Sequence, residues 1–302
     1  MILIVCHDAG GAEIVSNYIK NKKIKKCIYC VKGPAIKIFK KNIKNFSNKS
    51  TIKSFSKIKK LLIGTSIKSK HELKYLVYAK KLNIYSLCFL DHWTNYKRKL
   101  TLNKEVILPD EFLVGDIYSK NIARKIFKKT KISLIQNPYF KEISLKIKMM
   151  KKKDKKKNNF NILYLTEPLR NQAKYLYNNY LYYGYDEFSS FNNFLKYISV
   201  IKKKNSNLNS INIRFHPSEG NTKYKKILNK YKKLNLKISK EKDLIKDINQ
   251  NDYIVGCETT ALVVALIAKK KVFCSIPKKG KKSSLPYKNI MHISKLRNYL
   301  NV

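Results

Sequence analysis

Short apolar runs alternate with longer amphipathic stretches along almost the whole of this chain, and that alternation places it in the α/β class. In the first half, strands are expected near residues 1–6, 27–31, 61–64, 84–90, 111–114 and 132–135. Helical periodicity falls between them, from Glu13 to Lys22, Lys70 to Leu82 and Tyr118 to Phe127. The pattern is that of βαβ units around a parallel sheet.

A dense like-charge stretch with no apolar period, KIKMMKKKDKKKNN over 146–159, suits a solvated connection. A second series follows, with strands expected at 161–166, 211–215, 236–239, 252–256 and 272–276. Helical patterns run from Phe188 to Lys204, Lys223 to Tyr231 and Thr259 to Lys269. The expected organisation is a Rossmann-like domain at 1–145, a basic linker at 146–159 and a second Rossmann-like domain at 160–302. The two would face a cleft formed at the carboxyl ends of their strands. A C-terminal helix near Lys295 to Leu300 is expected to pack back on the first domain.

The charge invites a different class of reading. With 66 basic and 19 acidic residues among 302, the chain carries a formal charge of +47, which would normally suggest a nucleic-acid or membrane partner. Only five of the basic residues are Arg, however, and Lys, Ile and Asn are abundant in every segment. Readers of phosphates and base edges favour the Arg fork, and neither zinc-finger spacing nor an RNP-type aromatic motif accompanies the charge. Specific nucleic-acid binding is therefore not expected, while peripheral contact with an anionic membrane surface is compatible with the charge. The opening MILIVC run is too short for a signal-peptide core or a membrane span, so a cytoplasmic location, with room for attachment at the inner membrane face, is expected. The cysteines sit mostly inside apolar runs and read as buried thiols, Cys27 and Cys30 among them.

Two segments at strand ends carry the chemistry. INIRF is followed directly by His216, Pro217, Ser218, Glu219 and Gly220, which puts an imidazole and several loop amides where nucleotide phosphates sit in such sheets. DYIVGCETTALVVALIA reads as a strand, a Gly turn and a helix opened by Thr259 or Thr260. Hydroxyls and free amides there form an anion site favoured by the helix dipole. Arg214 and Arg170 are further candidate phosphate partners, although Arg214 reads equally well as a sheet-face ion-pair residue, and Glu167 in TEPLR would line the same side.

The layout RFHP, then Asp243 to Asp252, then GCETTALVVALIA and VFCSIP resembles the C-terminal half of bacterial sialyltransferases of the GT-B fold. It is also similar to CDP-glycerol glycerophosphotransferases and capsule-polysaccharide enzymes. The likeness covers residues 205–277, and the first half matches at the level of fold alone. It implies a GT-B-like architecture and a cytidine-linked donor held by His216, Pro217, Thr259 and Thr260. The implied activity is metal-independent transfer of a sugar from a CMP-type donor, as nucleotide-sugar partner, to a glycan or lipid acceptor.

The acidic-acidic-Gly triplet that supplies the base in the sialyltransferase pattern is missing here. Two substitutes are available, each at an expected strand end: Asp91, in LDHWTNY, is the expected general base, and Asp8, in HDAGG, is the competing assignment. Around Asp91, the side chains of His92, Trp93 and Tyr96 would suit an acceptor ring. Gly10 and Gly11 would let the first loop approach a phosphate closely. No DxD triplet, P-loop or G-x-S-x-G elbow occurs, so neither a metal nor a cofactor is expected. Two competing readings are a non-hydrolysing nucleotide-sugar 2-epimerase and a non-enzymatic basic binding protein.

Overall fold

The computed structural model describes residues 1–150, 159–202, 207–220 and 222–299. The chain divides into two compact units, Met1–Glu142 and Ile143–Val302. Of the basic segment 146–159, residues 146–149 end a helix, and 151–158 lie outside the described residues.

The first unit runs β1 (Ile2–Cys6), α1 (Ala9–Asn21), β2 (Cys27–Val31), α2 (Ala35–Asn42), β3 (Lys60–Ile63), α3 (His71–Lys81), β4 (Tyr85–Leu90) and α4 (Tyr96–Lys99). A small antiparallel hairpin follows, β5 (Thr101–Leu102) with β6 (Glu105–Val106). Then come β7 (Glu111–Val114), α5 (Ile117–Ile126), β8 (Lys131–Leu134) and α6 (Pro138–Met149), within which the division between the units falls. Six of the strands pair in parallel in the order β2-β1-β3-β4-β7-β8. Strands covered on both faces read as unbroken apolar runs, and β1 shows the cause. Leu3 and Val5 join one core cluster while Ile4 and Cys6 join the other, so successive residues bury opposite faces of one sheet.

The second unit runs β9 (Phe160–Leu165), α7 (Leu169–Tyr177), α8 (Glu187–Lys202), β10 (Leu208–Arg214), α9 (Lys225–Lys230), β11 (Leu236–Ile238) and α10 (Leu244–Gln250). It continues with β12 (Tyr253–Gly256), α11 (Thr260–Ile267), β13 (Lys271–Cys274) and β14 (Ile290–His292). Its parallel sheet has the order β11-β10-β9-β12-β13-β14. The core of one face joins Ile162, Tyr164, Ile213, Val255 and Phe273 to Phe191 and Phe194 of α8. The C-terminal segment is a short 3-10 helix, Ile293–Tyr299, and its Ile293 and Leu296 enter this same core. Those two residues are thus buried against the sheet of their own unit, and Leu300, which ends the expected helix, lies outside the described residues.

Strand order fixes where a ligand belongs. In an open α/β sheet the crevice opens where consecutive crossovers leave a strand in opposite directions. In the first unit this point lies between β1 and β3, in the second between β9 and β12.

Candidate functional site

In the second unit, the ends of β10, β9 and β12 lie side by side and their loops are stitched together. The Thr166 hydroxyl, one residue past β9, donates to Glu219 and accepts the His216 amide at 3.0 Å. The next residue, Glu167, reaches the other way, and its Oε1 accepts the backbone N–H groups of Cys257 at 3.0 Å and Glu258 at 2.8 Å. The HPSEG and GCETT loops thus flank the end of one central strand. Burial pushes the Glu167 carboxyl up to about 7, against the pull of those amides.

His216 opens a tight turn in which its carbonyl accepts the Glu219 amide at 2.8 Å, with Pro217 fixing the second position. Its Nδ1 accepts the Ser218 N–H at 3.2 Å. The same nitrogen lies 2.8 Å from the Ser218 hydroxyl, so Nδ1 is engaged within the loop and Nε2 is the ring nitrogen left to face a phosphate oxygen. On the other loop Thr259 is the N-cap of α11, its Oγ1 accepting the Ala261 amide at 3.2 Å, and Thr260 begins the helix. Capping leaves the Thr259 hydroxyl proton available to a ligand.

Two expected phosphate contacts are corrected. The Arg214 guanidinium bonds the carbonyls of Glu241 at 2.6 Å and Lys242 at 2.9 Å, and Asp247 at 2.9 Å, which ties β10 to the segment before α10. Its donors are directed into the fold, as the ion-pair alternative has it. Glu219 has only 1% of its side chain exposed and accepts from Lys223 at 2.6 Å and Tyr224 at 2.8 Å. Burial raises this carboxyl, but the Lys223, Thr166 and Tyr224 donors outweigh burial and hold it below its usual range. It braces the loop from inside. Arg170 stands 3.8 Å from Asp186, at the α7 side.

In the first unit, the loops after β1, β3 and β4 converge in the same manner. The Asp8 carboxylate binds the His7 Nδ1 through Oδ1 at 2.7 Å and the Ile67 amide through Oδ2 at 2.9 Å. The bond to Asp8 orients the imidazole and leaves Nε2 over Gly33, where a Cβ would lie only 2.6 Å from it. Behind them Glu72, from the first turn of α3, accepts the His7 amide at 2.7 Å and the Ser66 hydroxyl at 2.5 Å, and burial raises it to about 7.

Asp91 lies at the end of β4, its Oδ1 accepting from Thr65 Oγ1 at 2.5 Å and from the Lys99 ammonium at 2.6 Å. Burial pushes this carboxyl up, yet Lys99 and the hydrogen bonds prevail and hold it below the ordinary range. Its Oδ2 lies against α1, where a Cβ on Gly10 would come within 2.3 Å. Gly11 instead touches the backbone of Gly64 and Thr65, so the two glycines serve close packing of α1 on β3 and the approach of Asp91.

The expected acceptor ring is corrected in two of its three members. Tyr96 is 2% exposed in the core beside Phe127, and Trp93 is 5% exposed with its indole N–H bonded to Asp116 at 3.0 Å. Neither offers a face to a sugar. His92 is partly exposed, bonds Thr94 at 3.2 Å, and is lowered by burial to about 4, so it is neutral at pH 7. Sequence reading gives no role to His7, Thr65, Glu72 or Lys99. The visible signal is His7 beside Asp8 at a strand end; Glu72 comes from a helix 65 residues from His7, and Lys99 from the short helix eight residues past Asp91.

No protein-family model and no curated protein sequence matches the chain. Solved structures do match it in fold. The UDP-GlcNAc 2-epimerase of Neisseria meningitidis, bound to UDP-GlcNAc, superposes with a TM-score of 0.60 at 14% identity, covering 90% of this chain and 82% of that one. The S. aureus MnaA–UDP complex gives 0.59 at 12% identity, with 90% and 78% covered. The UDP-GlcNAc 2-epimerase of Methanocaldococcus jannaschii gives 0.57 at 13%, with 90% and 83% covered. The architecture is GT-B-like, with two six-stranded parallel sheets.

Proposed function

We propose that this chain is an enzyme acting on a nucleotide-linked sugar, with the nucleotide phosphate held at the β9/β12 switch point. The observation that carries this is the pair of loops on either side of Glu167: an imidazole whose Nδ1 is engaged by Ser218 on one, and Thr259 and Thr260 at a helix start on the other. Glu167 accepts two amides of the second loop and so fixes its backbone beside the end of β9. His216 and the two threonines would bind the phosphate, and Glu167 would position the loop that carries them.

In its finer form the reaction read here is epimerisation of a UDP-linked sugar at C2, supported by the likeness to the solved 2-epimerases. Inverting a C–H centre requires a proton to leave one face and return to the other. The His7–Asp8 pair is the proton-handling group favoured here, because Asp91 is already paired with Lys99. A second reading, transfer from a CMP-type donor, is favoured by one observation: the first unit has a cavity beside His7 lined by three lysines and no acid, which a one-substrate epimerase does not need and an acceptor would use.

Calorimetric titration of CMP, CDP, UDP and ADP, with and without EDTA, tests the nucleotide site. Incubation with UDP-GlcNAc in D2O then separates the two readings. Deuterium at C2 without any acceptor supports epimerisation. Tight CMP or CDP binding with no exchange supports transfer, and absence of nucleotide binding overturns both.

A further inference from the structure

Beyond the nucleotide site, the first unit contains a cavity of about 460 Å³ lined by His7, Lys32, Gly33, Ser69, Lys70, His71 and Lys74. Its wall is unusual even for so basic a chain, because it contains three ammonium groups, two imidazoles and no carboxylate. Among the described residues, none of the three lysines is paired with an acid. The nearest acids in sequence are turned away, Asp8 toward His7 Nδ1 and the Ile67 amide and Glu72 toward the His7 amide and Ser66. Lys70 is half-buried, and burial together with the neighbouring Arg98 charge lowers its pKa.

Lys32 and Lys74 are exposed and the Lys70 ammonium bonds the Arg98 carbonyl at 3.3 Å, so with no acid in the wall the cavity keeps a positive field that favours an anion. The wall is also shaped for entry. Gly33 adopts φ +54 and has no side chain, so the His7 ring lies at the surface of the cavity, and the positive end of α3 opens beside it.

We propose that this cavity binds the phosphate group of a phosphorylated small molecule, with Lys32, Lys70 and Lys74 supplying charge and Ser69 a hydroxyl donor. Three lysines match a phosphate dianion better than a carboxylate monoanion. Phosphate binding stands independently of the reading of the nucleotide site; only the further step, that the ligand is the acceptor in a transfer reaction, rests on the transferase reading. On that step, His7 Nε2 would face a hydroxyl of the bound molecule.

The test follows imidazole proton resonances during titration with inorganic phosphate, with acetate as the carboxylate arm and chloride at matched ionic strength. The expected result is saturable movement of His7 and His71 with phosphate, weakened roughly tenfold in Lys70→Met/Lys74→Met. Lys225→Met/Lys226→Met, which removes two charges from α9 in the other unit, should leave it unchanged. Equal weakening in both double variants, or movement that chloride reproduces, would reduce the cavity to diffuse charge attraction and overturn the proposal. Preference for acetate, or movement confined to His216, would overturn it as well. CMP and UDP titrations read on His216 report the nucleotide site separately, so either assignment can fail alone.

Discussion

The Asp91–Lys99 pair and the His7–Asp8 pair make different demands on substitution. Both partners of the first are nearly buried, with side chains 11% and 9% exposed. Removing one charge leaves the other without compensation, which typically costs about 3–5 kcal/mol. Asp91→Asn is therefore expected to lower the unfolding free energy by that order in urea titration, and Lys99→Met to do the same. Asp8→Asn should act on chemistry instead, since an amide oxygen or nitrogen cannot hold the His7 ring as the carboxylate does. Turnover should fall roughly 10²–10⁴-fold with nucleotide affinity unchanged, the usual range for losing a positioned acid–base group. Steady-state kinetics beside calorimetry checks this, and near-normal turnover in Asp8→Asn would return the proton transfer to Asp91. Glu167 supplies a third residue-scale outcome. Its folded-state pKa is raised to about 7 from 4.5, so the folded state holds the proton more tightly than the unfolded chain. Its contribution is then fully present below about pH 4.5 and is lost as pH rises to about 7, by an amount on the order of 3 kcal/mol. Glu167→Gln keeps an amide acceptor for Cys257 and Glu258 but cannot titrate, so its melting temperature should fall less than wild type between pH 4.5 and 7.5. Parallel curves would mean that Glu167 is ionised throughout.

At the scale of elements, the loop at α11 depends on the Thr259 cap. Thr259→Ala removes the acceptor for the Ala261 amide and is expected to cost about 1 kcal/mol, whereas Thr259→Ser should recover most of it. If His216 and Thr259 serve one anion, Thr259→Ser should keep nucleotide affinity and Thr259→Ala should lose part of it. The same helix shows why much of the framework can be read in the primary structure. Strands of a doubly covered parallel sheet must be apolar throughout, so β1, β2, β4, β9 and β12 stand out as runs. Elements whose residues answer to other constraints do not. The edge strand β14 is three residues of intermediate burial, and β5 and β6 are two residues each. The helices α2 and α10 are short and bury only a few positions. Site residues divide in the same way. His216 and Thr259 follow strands closely and are candidates from the sequence alone, while Glu72 and Lys99 enter only through folding that joins positions 65 residues apart, His7 to Glu72, or a helix to a strand end, Lys99 to Asp91. Tyr96 and Trp93 misled because an aromatic beside an acid has the same composition in a core as in a sugar site.

For the molecule as a whole, the charge of +47 is a load on folding. Like charges crowd together when the chain compacts, and salt screens them over a Debye length of about 10 Å at 0.1 M. The midpoint of thermal unfolding is therefore expected to rise with potassium chloride between about 10 mM and 300 mM, by a few degrees. A flat or falling midpoint would mean that local pairing already balances the load. No helix among the described residues is long and apolar enough to cross a membrane. The two sheets also differ in winding. In each, the loop that follows the first strand, with the first turn of the helix behind it, borders the switch point, so residues 7–11 and 166–170 occupy equivalent places in units with unlike strand orders. Such loops can vary while the ladders beneath them stay intact. A combinatorial library at those positions would thus explore new ligands at small risk to folding provided that the buried Thr166, Glu167 and Leu169 are held constant, together with Gly10 and Gly11, where added side chains would collide with Asp91 and with the backbone after β3.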